Sequence, residues 1–531
     1  MRTSHVLSVL VGLLGSATLL SAGCVDDWAE FYLPLTDPKL ATWGTSGSSS
    51  SSSSSGTGGT PASCIPSTNK DPVANTCGVF VSSSLGADDM AADRGMQTKP
   101  FKSIGAALMK PGVARVYACA ESFTEAVTIS AAVELYGGLD CKSWAYVGAT
   151  TKTLLKADAD KVPLTLTGDA VVEDFSITAA DAATDGGSSI AVIADQAKAS
   201  FARCALIAGA GKAGLAGTTP TDSVGPMDSN DAAIRGNDGK NACMDPAMQF
   251  GGAAKENALC PLASGGPLGG SGGQGAAVAG GDASGGTPLS AGKGLGGKGE
   301  VSAGWDCSAG GTNGGAGSGA NGAAGTDGDG ATGMSSLGAL SSSGYNGTSG
   351  QPGGVAPPGQ GGGGGGGAKG KPVPACAGAS GGGGGAGGCG GKGGLGGNAG
   401  GASIALVSLG ATLSFEKVTI KAGVGGVGGN GGDGQGGGVG GDGGTGGKGD
   451  SSVPATLKAC NGGAGGQGGT GGKGGGGRGG HAIGIAYTGA AVPLTKGATF
   501  TNGTPGKGGL GAADMMHDGD AGVQADVQVL K

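Results

Sequence analysis

The sequence predicts an all-β chain in which short strands stack in successive coils and long glycine-rich excursions leave the stack. Three observations lead there. Segments beginning at Gly186, Gly400 and Gly479 align with one another, each reading as two short alternating strands and a glycine exit. Aromatic residues make up only 4% of the chain, which suits a slim core of Val, Ile, Leu and Ala. The 130 glycines among 531 residues are concentrated between the aligned segments.

From the N-terminus, residues 1–23 read as a secretory signal, with Arg2 ahead of an apolar stretch from Val6 to Leu20. Leu20-Ser21-Ala22-Gly23-Cys24 resembles the lipobox of bacterial lipoproteins, although Ser21 stands where a branched aliphatic is usual. That resemblance implies acylation of Cys24 and a membrane partner reached through the lipid; Val25 in place of aspartate favours the outer membrane. Ordinary secretion is the alternative. Residues 24–63 form the tether, with Trp28 and Trp43 followed by a Ser/Gly-rich tract.

Residues 64–211 are expected to form the capped first rungs, and from Asp71 to about Gly211 the composition is ordinary, alternating β-branched runs with turns. One helix is expected over 101–109, with Pro100 at its start. Gly86-Ala87-Asp88-Asp89, Lys99-Pro100-Phe101-Lys102-Ser103-Ile104, Val116-Tyr117-Ala118-Cys119-Ala120 with Phe123-Thr124-Glu125, and Leu135-Tyr136-Gly137-Gly138 follow in order. On these motifs the chain resembles a family of uncharacterised bacterial envelope domains with a pectin-lyase-like right-handed parallel β-helix. The resemblance implies a single-stranded solenoid whose open end the helix caps. It implies no activity, because such folds carry lyases, hydrolases, adhesins and inert spacers alike.

Among the aligned segments Ile190, Ile404 and Ile483 correspond, as do Val192, Leu406 and Ile485, and Leu206, Ile420 and Phe500. A coil cannot bury its apolar face alone, so the copies should stack on one core. Residues 400–422 then form one rung and 479–531 the last rung and tail, whereas 212–399 and 423–478 are excursions. Two states of the excursions stay open: disorder, or a polyglycine-II-like packing in which bare three-residue-per-turn chains bond backbone to backbone. Their composition resembles the PGRS tracts of mycobacterial PE-PGRS surface proteins, which implies a surface location only.

Twelve cysteines in a chain bound for an oxidising space point to disulfides. Local pairs, Cys64 with Cys77, Cys119 with Cys141, Cys243 with Cys260 and Cys376 with Cys389, are the expectation, and without Cys24 an odd cysteine remains. None lies in a CxxC spacing, and no metal or cofactor is expected. Gly428–Gln435 approaches a calcium nonapeptide but places Gln435 at its aliphatic position and does not recur; Asp327-Gly328-Asp329 is weaker.

No catalytic residue is assigned. Glu121, Glu125, Glu134 and Asp140 are the carboxylates that could share one face, with Glu125 better suited to a structural turn. Asp169, Glu173 and Asp174 read as solvated loop charges; Arg94, Arg115 and Arg203 sit in no acidic cluster, and His481 reads as a surface or turn residue like His517. The net charge of −7 and scattered basic residues exclude nucleic acid as a partner. The expected role is a structural or adhesive one at the cell surface, against polysaccharide or other envelope components. A carbohydrate-active lyase or hydrolase is the alternative.

Overall fold

Three six-stranded parallel sheets, visited in turn by the chain, account for most of the regular structure. The computed structural model describes residues 62–69, 71–260, 266–301, 304–307, 317–453, 456–489, 496–511 and 517–531. The expected signal segment 1–23, Cys24, and the tether up to residue 61 lie outside them. Among the described residues no helix is long and apolar enough to cross a membrane.

The chain begins with β1 (Val79–Val81), α1 (Ile104–Leu108) and β2 (Arg115–Cys119). Three rounds of three strands follow: β3 (Ser122–Thr124), β4 (Val127–Ile129) and β5 (Val133–Leu139); β6 (Thr153–Lys156), β7 (Leu164–Leu166) and β8 (Ala170–Glu173); β9 (Phe175–Thr178), β10 (Ser189–Asp195) and β11 (Lys198–Ala202). After β12 (Ala205–Ile207) come three antiparallel pairs, β13 (Met248–Gln249) with β14 (Gly275–Ala276), β15 (Ala339–Ser341) with β16 (Gly344–Asn346), and β17 (Lys371–Pro372) with β18 (Ala375–Cys376). The rounds resume with β19 (Ser403–Leu409), β20 (Thr412–Glu416) and β21 (Val418–Ala422), then β22 (Ala482–Thr488), β23 (Ala498–Asn502) and β24 (Gln524–Val529). The sheets run β1-β2-β5-β8-β11-β20, β3-β6-β9-β12-β21-β23 and β4-β7-β10-β19-β22-β24.

The correspondences read from sequence are the hydrogen-bond registers of these sheets. Ile190 pairs with Ile404 and Ile404 with Ile483; Leu206 pairs with Ile420 and Ile420 with Phe500. Each sheet turns a column of like residues inward. Leu135, Val172, Phe201 and Phe415 form one column and Phe123, Leu155, Ile177, Leu206 and Ile420 a second. Val127, Leu164, Val192, Leu406 and Ile485 form the third, and all three belong to one buried cluster. Strands β10, β19 and β22 are apolar on both faces because Leu337, Leu340 and Tyr345 cover their outer side.

Helix α1 is shorter than the expected 101–109. Phe101 is drawn into an extended pairing, its N–H donating to Phe80 O and its carbonyl accepting from Ser82 N–H, so the helix starts only after Ser103 caps it. At its other end, Pro111 disfavours helical geometry at Lys110. Single residues in the left-handed region turn the corners between strands: Asp174, Arg203 and Lys417 at one corner (φ +59°, +53° and +55°), Gln196 and Gly410 at the next (φ +52° and +66°).

The excursions are hydrogen-bonded. Gly426, Gly429 and Gly432 donate to Gly401, Asn398 and Leu395, and the series continues every third residue to Gly447 and Ser380, antiparallel. Gly385, Gly388, Gly391 and Gly394 donate to Gly463, Gly466, Gly469 and Gly472, this time in parallel. The seven-glycine run 361–367 lies among six chains. It donates to segments 281–287, 317–320 and 382–385 and accepts from 270–273, 297–300 and 460–463. A Cβ on Gly361, Gly362 or Gly363 would sit 2.0, 2.0 or 1.9 Å from the carbonyl oxygens of Leu268, Gly463 and Leu295. All three faces of a three-residue repeat are therefore occupied, and only glycine fits there.

Candidate functional site

Among the described residues, two thiols and a carboxylate converge where the neighbouring strands β1, β2 and β5 end. Ser82 to Ser84 follow β1, Cys119 closes β2, Glu121 lies in the link to β3, and Cys141 stands two residues beyond β5. The Cys119 and Cys141 sulfurs and a Glu121 carboxylate oxygen all lie within 4.8 Å of one another. Glu121 accepts from Ser83 Oγ at 2.7 Å, from the Ser84 amide at 3.1 Å, and from the Ser82 and Ser84 hydroxyls. Cys141 Sγ donates to Glu121 Oε1 at 3.1 Å. Burial works against the charge of Glu121, but the bonds from Ser84, Ser83 and Cys141 outweigh it and bring its pKa down to about 2. Burial pushes the Cys141 thiol up to about 11 and the Cys119 thiol higher still.

The other three carboxylates of the expected face have separate engagements. Glu125 accepts from the amides of Ile104 and Gly105 at 2.8 and 2.9 Å, closing the first turn of α1, and burial raises its pKa. Glu134 pairs with Arg115 at 2.7 Å and accepts from Tyr136 Oη at 3.1 Å. Asp140 accepts from the Ser143 amide and hydroxyl and from the Lys142 amide, bonds that lower its pKa and shape the turn after β5. These three and Glu121 are tied to different elements and do not converge.

Glu173, Asp174 and Arg203 correct the reading of solvated charges and an isolated arginine. Asp174 is 2% exposed and bonds Arg203 Nη2 at 2.9 Å and Tyr146 Oη at 3.1 Å; Arg203 also pairs with Glu173. The left-handed corners stack Asp174 and Arg203 in adjacent rounds, which no spacing rule on the sequence revealed. Asp169 accepts from the Lys198 amide and Arg94 pairs with Asp89. His481 is wholly buried rather than superficial: Nδ1 accepts from the Val523 amide at 2.8 Å, leaving Nε2 to donate to Leu337 O at 2.8 Å. His517 Nδ1 lies 2.6 Å from Ala331 O. In the calcium-like stretch Asp433 pairs with Lys473; in the weaker candidate, Asp327 accepts from the Thr470 amide.

Disulfides join Cys64 to Cys77, Cys243 to Cys376, Cys260 to Cys389 and Cys307 to Cys460. The expected pairs Cys243 with Cys260 and Cys376 with Cys389 are thus exchanged, and Cys119, Cys141 and Cys204 carry free thiols. The reason is the side-by-side packing of the excursion: Cys243 N–H bonds Ala377 O and Asn257 bonds Gly387 O, so each cysteine meets a distant segment rather than a local one.

Two surface depressions lie among the described residues. One of about 550 Å³ is lined by Leu413, Phe415, Glu416, Lys417, Lys496 and Gly497; one of about 280 Å³ holds Asp88, Lys102, Ser103 and Glu125. In the second, Asp88 accepts from the Lys102 and Ser103 amides, so both of its carboxylates are engaged by backbone. Comparison with known families, curated proteins and solved structures finds no match.

Proposed function

We propose that this protein is a bacterial envelope lipoprotein with a structural or adhesive role, tethered through Cys24 at the outer membrane. Its three parallel sheets form a right-handed, pectin-lyase-like β-helix, and its excursions form a polyglycine-II-like array. The observation that carries this reading is the run 361–367, whose amides and carbonyls are bonded to six neighbouring chains. Glycines committed in this way build a lattice, not a cradle for a small ligand. Long-range disulfides tie that lattice together, as suits a rigid body held off a membrane in an oxidising space.

The test is expression of the full chain in a diderm bacterium with radiolabelled palmitate, followed by protease treatment of intact cells. Label that depends on Cys24, and fragments released only from the surface, are the expected results. Failure of Cys24→Ala to remove the label would overturn the tether. Release of reducing ends or unsaturated sugars from a polysaccharide panel, abolished by Glu121→Gln, would replace the structural role with the carbohydrate-active one.

A further inference from the structure

We propose that Cys119, Glu121 and Cys141 form a binding site for one zinc-class divalent d¹⁰ cation. Their three donor atoms already lie within 4.8 Å of one another, supplied by β2, its link to β3 and the turn after β5. Eight described cysteines are joined in disulfides, whereas these two stand as adjacent thiols. Sulfur donors exclude calcium and magnesium, which take oxygen ligands, and the carboxylate favours a dication over copper(I).

The surroundings suit such a site. Glu121 is oriented by three serine hydroxyls and one amide, the kind of outer support that fixes a metal-ligating carboxylate. Cys119 is wholly buried and Cys141 half-buried, so the site has a closed floor and one accessible side. Binding releases the two thiol protons; two thiolates and one carboxylate then carry three negative charges against two positive ones. Three protein ligands leave a fourth position, which a water would fill to complete a tetrahedron.

The experiment uses the full chain, purified free of metal and without reductant, titrated with cadmium as a chromophoric probe and then with zinc. Sulfur-to-cadmium charge-transfer absorbance should saturate at one equivalent, release two protons per ion and be displaced by zinc. Because Cys119 is wholly buried, the decisive variants are Cys141→Ser and Glu121→Gln. Cys141→Ser should abolish the band. Glu121→Gln should weaken binding by more than the ~10–100-fold that loss of an outer-shell partner costs. Cys204→Ser, which removes the third free thiol, should leave it unchanged. A Cys119–Cys141 disulfide found by peptide mapping of the purified chain would overturn the site, as would a cadmium band that Cys141→Ser leaves intact.

Discussion

At Gly363 an added methyl group would lie 1.9 Å from Leu295 O, a backbone atom that cannot swing aside, whereas at Gly436 it would meet nothing within 4 Å. Two identical substitutions in the same kind of tract should therefore have opposite signs. Gly363→Ala is expected to destabilise by about 1–3 kcal/mol or more through overpacking. Gly436→Ala should stabilise by about 0.4–1 kcal/mol by restricting the unfolded chain. Thermal melts of the two variants check this, and equal effects would mean that the tract is not packed. His481 provides a second test at this scale. Burial lowers its folded pKa below the ordinary 6.5, so below that value the unfolded chain takes up a proton that the folded one refuses. Stability is thus present above about 6.5 and lost as pH falls through it toward the folded value. The melting temperature should drop between pH 7 and pH 5, and His481→Gln should lower it at pH 7 while flattening that drop.

At the scale of elements, the cross-links and the glycine chains hold each other. Cys260–Cys389 closes a loop of 129 residues and Cys307–Cys460 one of 153. Loops of about that length constrain the unfolded chain by roughly 4–5 kcal/mol in the chain-entropy account. Cys260→Ala/Cys389→Ala should accordingly expose 251–260 and 266–272 to proteolysis while the paired strands β10, β19 and β22 stay resistant; cleavage of all regions together would contradict this division. How far these elements could be read in advance depended on periodicity. The aligned isoleucines at 190, 404 and 483 reported both strand and register, because a shared column forces like residues to one level. Helix α1 was overextended because nothing local betrays that Phe101 pairs with Phe80. Cys64–Cys77 forms as expected, but the excursion pairs were misassigned for a related reason: proximity in a packed excursion is set by which segments lie side by side. The Glu173–Asp174–Arg203 cluster was missed because corner stacking, unlike strand alternation, leaves no repeat in residue type.

Across the whole molecule, the sheets and the glycine array share one register. The parallel series that runs from Gly385 with Gly463 continues through Gly400 with Arg478 and into Ser403 with His481, where β19 and β22 begin. A bond every third residue thus passes into the strand ladder without a break, and side chains re-enter the sequence where the core resumes. This continuity has an energetic consequence. An isolated glycine chain loses too much entropy to order itself, but here 382–400 and 462–480 run into β19 and β22, and 361–367 shares its bonds with six other segments, so each can open only by parting from its neighbours. Amides in 361–367, 382–400 and 462–480 should therefore exchange as slowly as those of β19 and β22, through openings whose free energy approaches that of global unfolding. Hydrogen exchange read by mass spectrometry on the oxidised chain gives the comparison. Protection of both regions together supports one cooperative body, whereas exchange of the glycine segments at the rate of an unstructured peptide, with the strands still protected, would reduce the array to loose excursions and remove the basis for a rigid surface scaffold.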